Sequence, residues 1–131
     1  MRFQILTPEK NAFDGEVESI SAPGEMGGFE ILKDHAPILA SLVPGPVKLV
    51  VDGKPVMFHV AHGFLEFSHN KGVILTDAVE RPGEIDLDRA RAAAEKARKA
   101  LENREKIDLI GTHKALSRAL SRERFQQKYS G

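Results

Sequence analysis

The rhythm of hydrophobic and polar positions changes once along this chain, close to residue 84. Before that point, short apolar runs alternate with polar or glycine-containing breaks, which is the length and spacing of β-strands. Val47–Val51 (VKLVV) and Pro55–Ala61 (PVMFHVA) flank Asp52-Gly53, a pair that accepts the positive φ angles of a tight hairpin. Phe64–Phe67 (FLEF) and Val73–Ala78 (VILTDA) are split by His69-Asn70-Lys71-Gly72, again a turn composition. Phe3–Thr7 and Glu16–Ala22 are separated by a polar stretch that contains Asp14-Gly15. Short strands at this spacing predict a sandwich or barrel, and all 7 prolines fall at or before Pro82. Its expected core is Phe3, Ile5, Phe13, Val17, Ile20, Phe29, Leu49, Val51, Phe58, Val60, Phe64, Phe67 and Ile74.

Pro82-Gly83 punctuates the chain, and beyond it alanine, arginine, lysine and glutamate take over. Leu87, Ala90, Ala94, Ala97 and Leu101 recur at intervals of three and four, one face of a helix. A second helix is predicted from Thr112 to about Lys128, with Leu116, Ala119, Leu120 and Glu123 on neighbouring turns. In the intervening IDLIGTH, Gly111 is suited to turn the chain and Thr112 to cap the second helix. The class is therefore α+β: a β-domain over residues 1–84 and an αα-hairpin over residues 85–131.

Alanine lets helices approach closely but buries little area, and burial stabilises by only ~25 cal/mol per Å². The predicted hairpin is thus marginal alone and cheap to undock. Both a conformational switch and a helix pair awaiting a partner fit that expectation.

Charge sharpens the division. The chain's 19 basic and 19 acidic residues cancel, yet residues 1–84 carry 7 basic and 12 acidic, net −5, and residues 85–131 carry 12 and 7, net +5. Opposite signs suit distinct partners for the two halves, although solvated polar faces give the same count. In the second helix Lys114, Arg118, Arg122, Arg124 and Lys128 stand against the single acid Glu123. Such a face suits an acidic protein surface; with only Phe125 and Tyr129 there for stacking and an acidic β-half, nucleic acid is disfavoured.

Candidate chemistry is sparse. With no cysteine there is no disulfide, thiolate nucleophile or Cys-based zinc site. P-loop, nucleophile-elbow and HExxH patterns are absent, and no metal site is expected. His59 and His62, three apart on a strand, would face opposite sides, so they read as surface or half-buried strand histidines. His35, in KDHAP, reads as a packing or interface residue. No apolar run approaches the roughly 18 residues of a membrane span, and the N-terminal residues lack a secretory core, so a soluble chain is expected whose membrane association comes through partners.

Asp86 can cap the first helix, with Asp88 favourably placed on its dipole. Arg89 is different: a cation in a first helical turn opposes the dipole. Arg118 and Arg122, four apart, share a helical face, so closure of the hairpin could gather Arg89, Arg118 and Arg122 into a cluster for phosphate oxygens. A merely solvated basic face is the alternative.

Over essentially its whole length the chain resembles the epsilon subunit of the bacterial F-type ATP synthase, the counterpart of the mitochondrial delta subunit. The resemblance rests on ILTPEKNAFDGEVESISAPG, on GGFEILKDHAPILASLVPGPV, on HGFLEF followed by VILTDAVE, and on IDLDRA (Ile85–Ala90), which matches every fixed position of the family's [Ile/Leu]-Asp-x-x-Arg-Ala motif. It implies a ten-stranded β-sandwich followed by an antiparallel two-helix hairpin. It also implies a non-catalytic rotor part that needs no cofactor, in which the sandwich binds the gamma subunit and the polar loops of the c-ring. The hairpin of the family can extend along gamma, meet an acidic region of the catalytic alpha/beta subunits and block rotation in the hydrolytic direction. In several bacterial members the closed hairpin binds ATP as a regulatory ligand. Carried over by position, that site comprises Glu80, Ile85, Asp86, Arg89, Ala90, Arg118 and Arg122, with Lys96 standing where some members have an arginine.

The same resemblance places the c-ring and gamma contact at Gly27, Gly28 and His35, and the whole at the cytoplasmic face of the bacterial plasma membrane, peripheral and not inserted. Here Gly28 takes the place of the family's usual acid, Glu30 that of a glycine, and Lys33-Asp34 that of Pro-Gly. The rival from another class is a free-standing nucleotide-binding sensor with no affinity for a gamma-type partner.

Overall fold

The computed structural model describes residues 1–102 and 109–129 of the chain. Two compact units follow one another, Met1–Arg81 and Pro82–Gly131.

The first unit is built from ten strands: β1 (Arg2–Leu6), β2 (Asn11–Glu16), β3 (Ser19–Gly24), β4 (Gly27–Leu32), β5 (Ile38–Leu42), β6 (Gly45–Val51), β7 (Lys54–Val60), β8 (Gly63–Ser68), β9 (Lys71–Thr76) and β10 (Val79–Glu80). They hydrogen-bond in the order β10-β7-β6-β3-β5-β8-β9-β1-β2, with β4 on β3, and this near-barrel sheet closes over itself as a β-sandwich. Every pairing is antiparallel except β1 with β9. The two halves of the sheet join at one corner, where Gly24 pairs with Leu42 and Val43 N–H donates to the Pro23 carbonyl at 2.9 Å. Across the interior the rings of Phe13 on β2 and Phe58 on β7 meet edge-on, centroids 6.0 Å apart.

Both expected hairpins form. Asp52 and Gly53 take φ 52° and 76°, and His69 and Asn70 take 52° and 57°, so each pair of strands is joined by a two-residue turn with two left-handed residues. The twist of such turns matches that of the strands they join. Lys71 and Gly72, read as turn residues, are instead the first residues of β9.

The polar stretch around Asp14-Gly15 is not a break but strand β2, with Phe3 opposite Gly15 and Gln4 opposite Asp14. From Phe13 on the strand alternates, Phe13 and Gly15 half-buried and Asp14 and Glu16 exposed, but glycine at an inward position hides the pattern in the sequence. Arg2 and Asp14 form an ion pair across it. The reversal lies earlier, where the Thr7 hydroxyl accepts from Lys10 N–H at 3.0 Å and Thr7 N–H donates to the Lys10 carbonyl at 2.9 Å.

The core is Phe3, Ile5, Val17, Ile20, Leu49, Phe58, Val60, Phe67 and Ile74, joined by Ile31, Val47 and Leu65, with Phe13, Phe29 and Val51 at its margin. Phe64 is the exception, 56 % exposed. Strand alternation explains it: Leu65 and Phe67 point inward, so Phe64 and Glu66 point outward. His59 is fully buried on β7, not half-exposed, and His62 lies between β7 and β8 rather than on the strand.

The second unit contains α1 (Leu87–Glu102) and α2 (Leu109–Tyr129), packed on each other as an antiparallel hairpin. Ala90, Ala94 and Ala97 form the buried stripe of α1, as the periodicity predicts. Thr112 does not cap α2: the helix starts at Leu109 and runs through Gly111 and Thr112. Ile107 and Asp108 of the expected connection lie outside the described residues.

Candidate functional site

Asp86 is the N-cap of α1. Its Oδ1 accepts the N–H of Arg89 at 3.1 Å, and its carbonyl accepts the first helical bond, from Ala90 N–H at 3.0 Å. Ile85 before the cap and Ala90 in the second turn are both buried, the positions of a hydrophobic staple that fixes how the chain enters the helix. Capping and packing thus account for three of the residues carried over from the nucleotide-binding members. Arg89, by contrast, stands exposed in the first turn.

The pairing of the helices sets the levels of the basic residues. Arg91 Nε on α1 donates to Glu123 Oε1 on α2 at 3.2 Å, and Gly83 N–H, just ahead of α1, donates to Gln126 Oε1 at 3.1 Å. In an antiparallel pair with residue 91 beside residue 123, Arg89 falls level with Phe125, and Arg122 lies about 4.5 Å along the axis from it. Lys96 falls near the level of Arg118, about 10 Å along the axis from Arg89 at 1.5 Å per residue. Arg89 and Arg118 therefore do not share a level: Lys96 stands level with Arg118, and Arg122 lies between that level and Arg89's. Arg118 is exposed and Arg122 half-buried. Glu80 belongs to the first unit, on β10 opposite His59.

The outer side of α2 carries Lys114, Arg118, Arg124 and Lys128, all exposed. Phe125 is buried and packs against Tyr129, ring centroids 5.0 Å apart, so this pair is not a free stacking platform.

In the sandwich, Gly27 and Gly28 open β4 whereas His35 lies in the loop after it, so the two glycines and the histidine mark opposite ends of one strand. The region is a β3–β4 hairpin, with Glu25-Met26 at its tip and Gly27 at φ 121°. Gly28 and Glu30 are two apart and both exposed, hence on the same face. The carboxylate expected at Gly28 is thus displaced along that face by about 7 Å, two strand residues.

Beside β4 runs a groove lined by Glu25, Met26, Phe29, Ile38 and Leu39, with Met26 fully exposed and Leu39 73 % exposed. A second one is lined by Leu6, Pro8, His62, Phe64 and Leu75. Register places Leu6, Leu75, Phe64 and Ser41 side by side across β1, β9, β8 and β5, a mostly apolar outward row. Alternation along FLEF could have flagged it, since Glu66 identifies the outward face. No group of three or more His, Asp or Glu among the described residues could hold a metal, and no helix there is long and apolar enough to cross a membrane.

Two family models match: "ATP synthase, Delta/Epsilon chain, beta-sandwich domain" over residues 1–82 and "ATP synthase, Delta/Epsilon chain, long alpha-helix domain" over residues 84–124. Among similar curated proteins, the ATP synthase epsilon chain of Desulfitobacterium hafniense (strain Y51) is 40 % identical over 119 residues, covering 91 % of this chain and 90 % of that one. The ATP synthase epsilon chain of Nitratidesulfovibrio vulgaris (strain DP4) is 38 % identical over 125 residues, covering 95 % and 93 %. A chain in the cryo-EM structure of the Euglena gracilis mitochondrial ATP synthase (OSCP/F1/c-ring) shares the fold at TM-score 0.82 and 21 % identity, covering 93 % of this chain and 78 % of that one. Another, in the central stalk/c-ring structure from Tetrahymena thermophila, does so at TM-score 0.60 and 21 % identity, covering 99 % and 96 %.

Proposed function

Because the chain belongs to the delta/epsilon family of ATP synthase subunits, non-catalytic components of the enzyme's stalk, we propose that it works in the rotor as coupling element and brake. The sandwich bridges the c-ring and gamma: the β3–β4 hairpin, with Glu30 supplying the carboxylate, and the His35 loop meet the ring or gamma. The apolar row of Leu6, Phe64 and Leu75 is the surface best suited to gamma, since exposed contiguous apolar area on a small domain marks an interface. The chain acts at the cytoplasmic face of the membrane, held there by these partners.

The helical unit is the brake. One observation carries this reading: a separate helix pair with a buried alanine stripe and an exposed basic side, tied by Arg91–Glu123 and Gly83–Gln126. Little buried area makes the pair inexpensive to open, and the +5 charge of residues 85–131 steers the opened form toward acidic surface on the catalytic alpha/beta subunits. ATP, bound by Arg89, Arg122, Lys96 and Arg118, would favour closure by RT ln(1 + [L]/Kd) if only the closed form binds.

The test is ATP hydrolysis by an ATP synthase stripped of this subunit and reconstituted with the full chain or with residues 1–84. Faster hydrolysis with the shortened chain, at equal coupling, supports the brake; equal rates refute it. Titration calorimetry of the full chain with ATP, alongside Arg122→Ala, tests the regulatory ligand separately.

A further inference from the structure

We propose that Asn70 is a positioning residue for His35, locking the loop Lys33–Pro37 to the β8–β9 turn through a reciprocal hydrogen-bonded pair with Asp34. The functional half of this proposal rests on the reading of His35 as a rotor contact. Asp34 N–H donates to Asn70 Oδ1 at 2.7 Å, and Asn70 Nδ2 donates back to Asp34 Oδ1 at 2.8 Å. The two residues are 36 apart in sequence, so the pair is a long-range tie and not a local turn bond.

Both partners sit in the left-handed region, Asp34 at φ 66° and Asn70 at φ 57°. Asn and Asp tolerate that conformation better than other residues with a side chain. Glycine would adopt this φ freely but could not make the tie; the chain has a side chain there and uses it. The anchor side is firm: the Asn70 carbonyl accepts Arg2 N–H at 3.1 Å, fastening the turn to β1.

His35 follows directly. Its N–H donates to the Leu32 carbonyl at 3.1 Å, its Nδ1 donates to the Ala36 carbonyl at 2.6 Å, and its ring stands edge-on to core Phe67, 6.2 Å away at 82°. Residues 32–37 are otherwise exposed, so the Asp34–Asn70 pair and the Phe67 contact hold an exposed loop in one place. An ordered loop binds its partner without having to be fixed on contact.

Asn70→Gly and Asp34→Gly remove the tie while keeping the left-handed backbone. The double exchange D34N/N70D restores a donor opposite the carboxylate and an acceptor for the N–H of residue 34. N70D alone sets two carboxylates against each other. Amide hydrogen exchange at His35 should quicken about fivefold in either glycine variant, the equivalent of one net hydrogen bond. The melting temperature of the sandwich should hardly move, and the double exchange should recover the slow rate.

Binding of the full chain to ATP synthase stripped of this subunit should weaken by about the same fivefold factor in N70G and D34G, more in N70D, and return in D34N/N70D. His35→Ala separates the premises. If H35A weakens binding while N70G changes neither exchange nor affinity, the positioning role is overturned. If H35A binds as the wild type, the interface reading falls and the functional half of the proposal with it.

Discussion

Arg91 on α1 and Glu123 on α2 form an ion pair across the helical hairpin at 3.2 Å, the guanidinium half-exposed and the carboxylate 25 % exposed. Glu123 is the single acid among the basic residues of α2, and its partner lies on the other helix. The acid that breaks the basic face is therefore the one that ties the face down.

Glu123→Gln is expected to loosen the hairpin by less than about 1 kcal/mol, because a half-exposed pair is screened by solvent and salt. Hydrogen exchange along α1 should quicken modestly, and high salt should produce a similar change in the wild type but little further change in the mutant. A double-mutant cycle with Arg91→Ala isolates the pair; a coupling of zero would mean that the contact contributes nothing to closure.

Substitution at Asp86 separates capping from ligand binding. Asp86→Ala should destabilise α1 by about 1 kcal/mol, whereas Asp86→Asn caps about as well and should leave helicity unchanged. If Asp86→Asn nevertheless weakens ATP binding in calorimetry, the carboxylate has a ligand role besides the cap. Equal ATP affinity in wild type and Asp86→Asn would reduce it to the cap alone.

Phe64 and Leu65 are neighbours with opposite fates. Leu65→Ala empties a fully buried position and should cost about 2–5 kcal/mol in chemical denaturation. Phe64→Ser removes an outward ring and should change stability by no more than about 0.5 kcal/mol, yet weaken association with gamma. Loss of stability without loss of association would reverse the assignment of the Leu6, Phe64 and Leu75 row.

Gly53 holds φ 76° and its N–H is accepted by Glu18 Oε1 at 2.9 Å. Gly53→Ala should destabilise the sandwich by about 1–2 kcal/mol, the cost of placing a Cβ in the left-handed region. Glu18→Gln keeps an acceptor and should be nearly silent. Thermal melting of the two variants checks both expectations.

Local chemistry was legible in the sequence. Asp52-Gly53 and His69-Asn70 announced their turns because few residues tolerate positive φ. The alanine spacing announced α1 because burial of one face imposes the helical period. Asp86 was readable as a cap since only its own helix start is involved. The family motifs identified the chain as a whole.

The features that the sequence left undetermined depend on partners distant along the chain. Asp14-Gly15 is a strand because β1 lies beside it. Asp34 finds Asn70, and Arg91 finds Glu123, only once sheet order and helix pairing bring them together. Sequence sets the local conformations through sterics and periodicity. Which polar side chains meet is decided by packing, since a hydrogen bond or ion pair has a reach of only a few ångströms and leaves no mark on the spacing of residues.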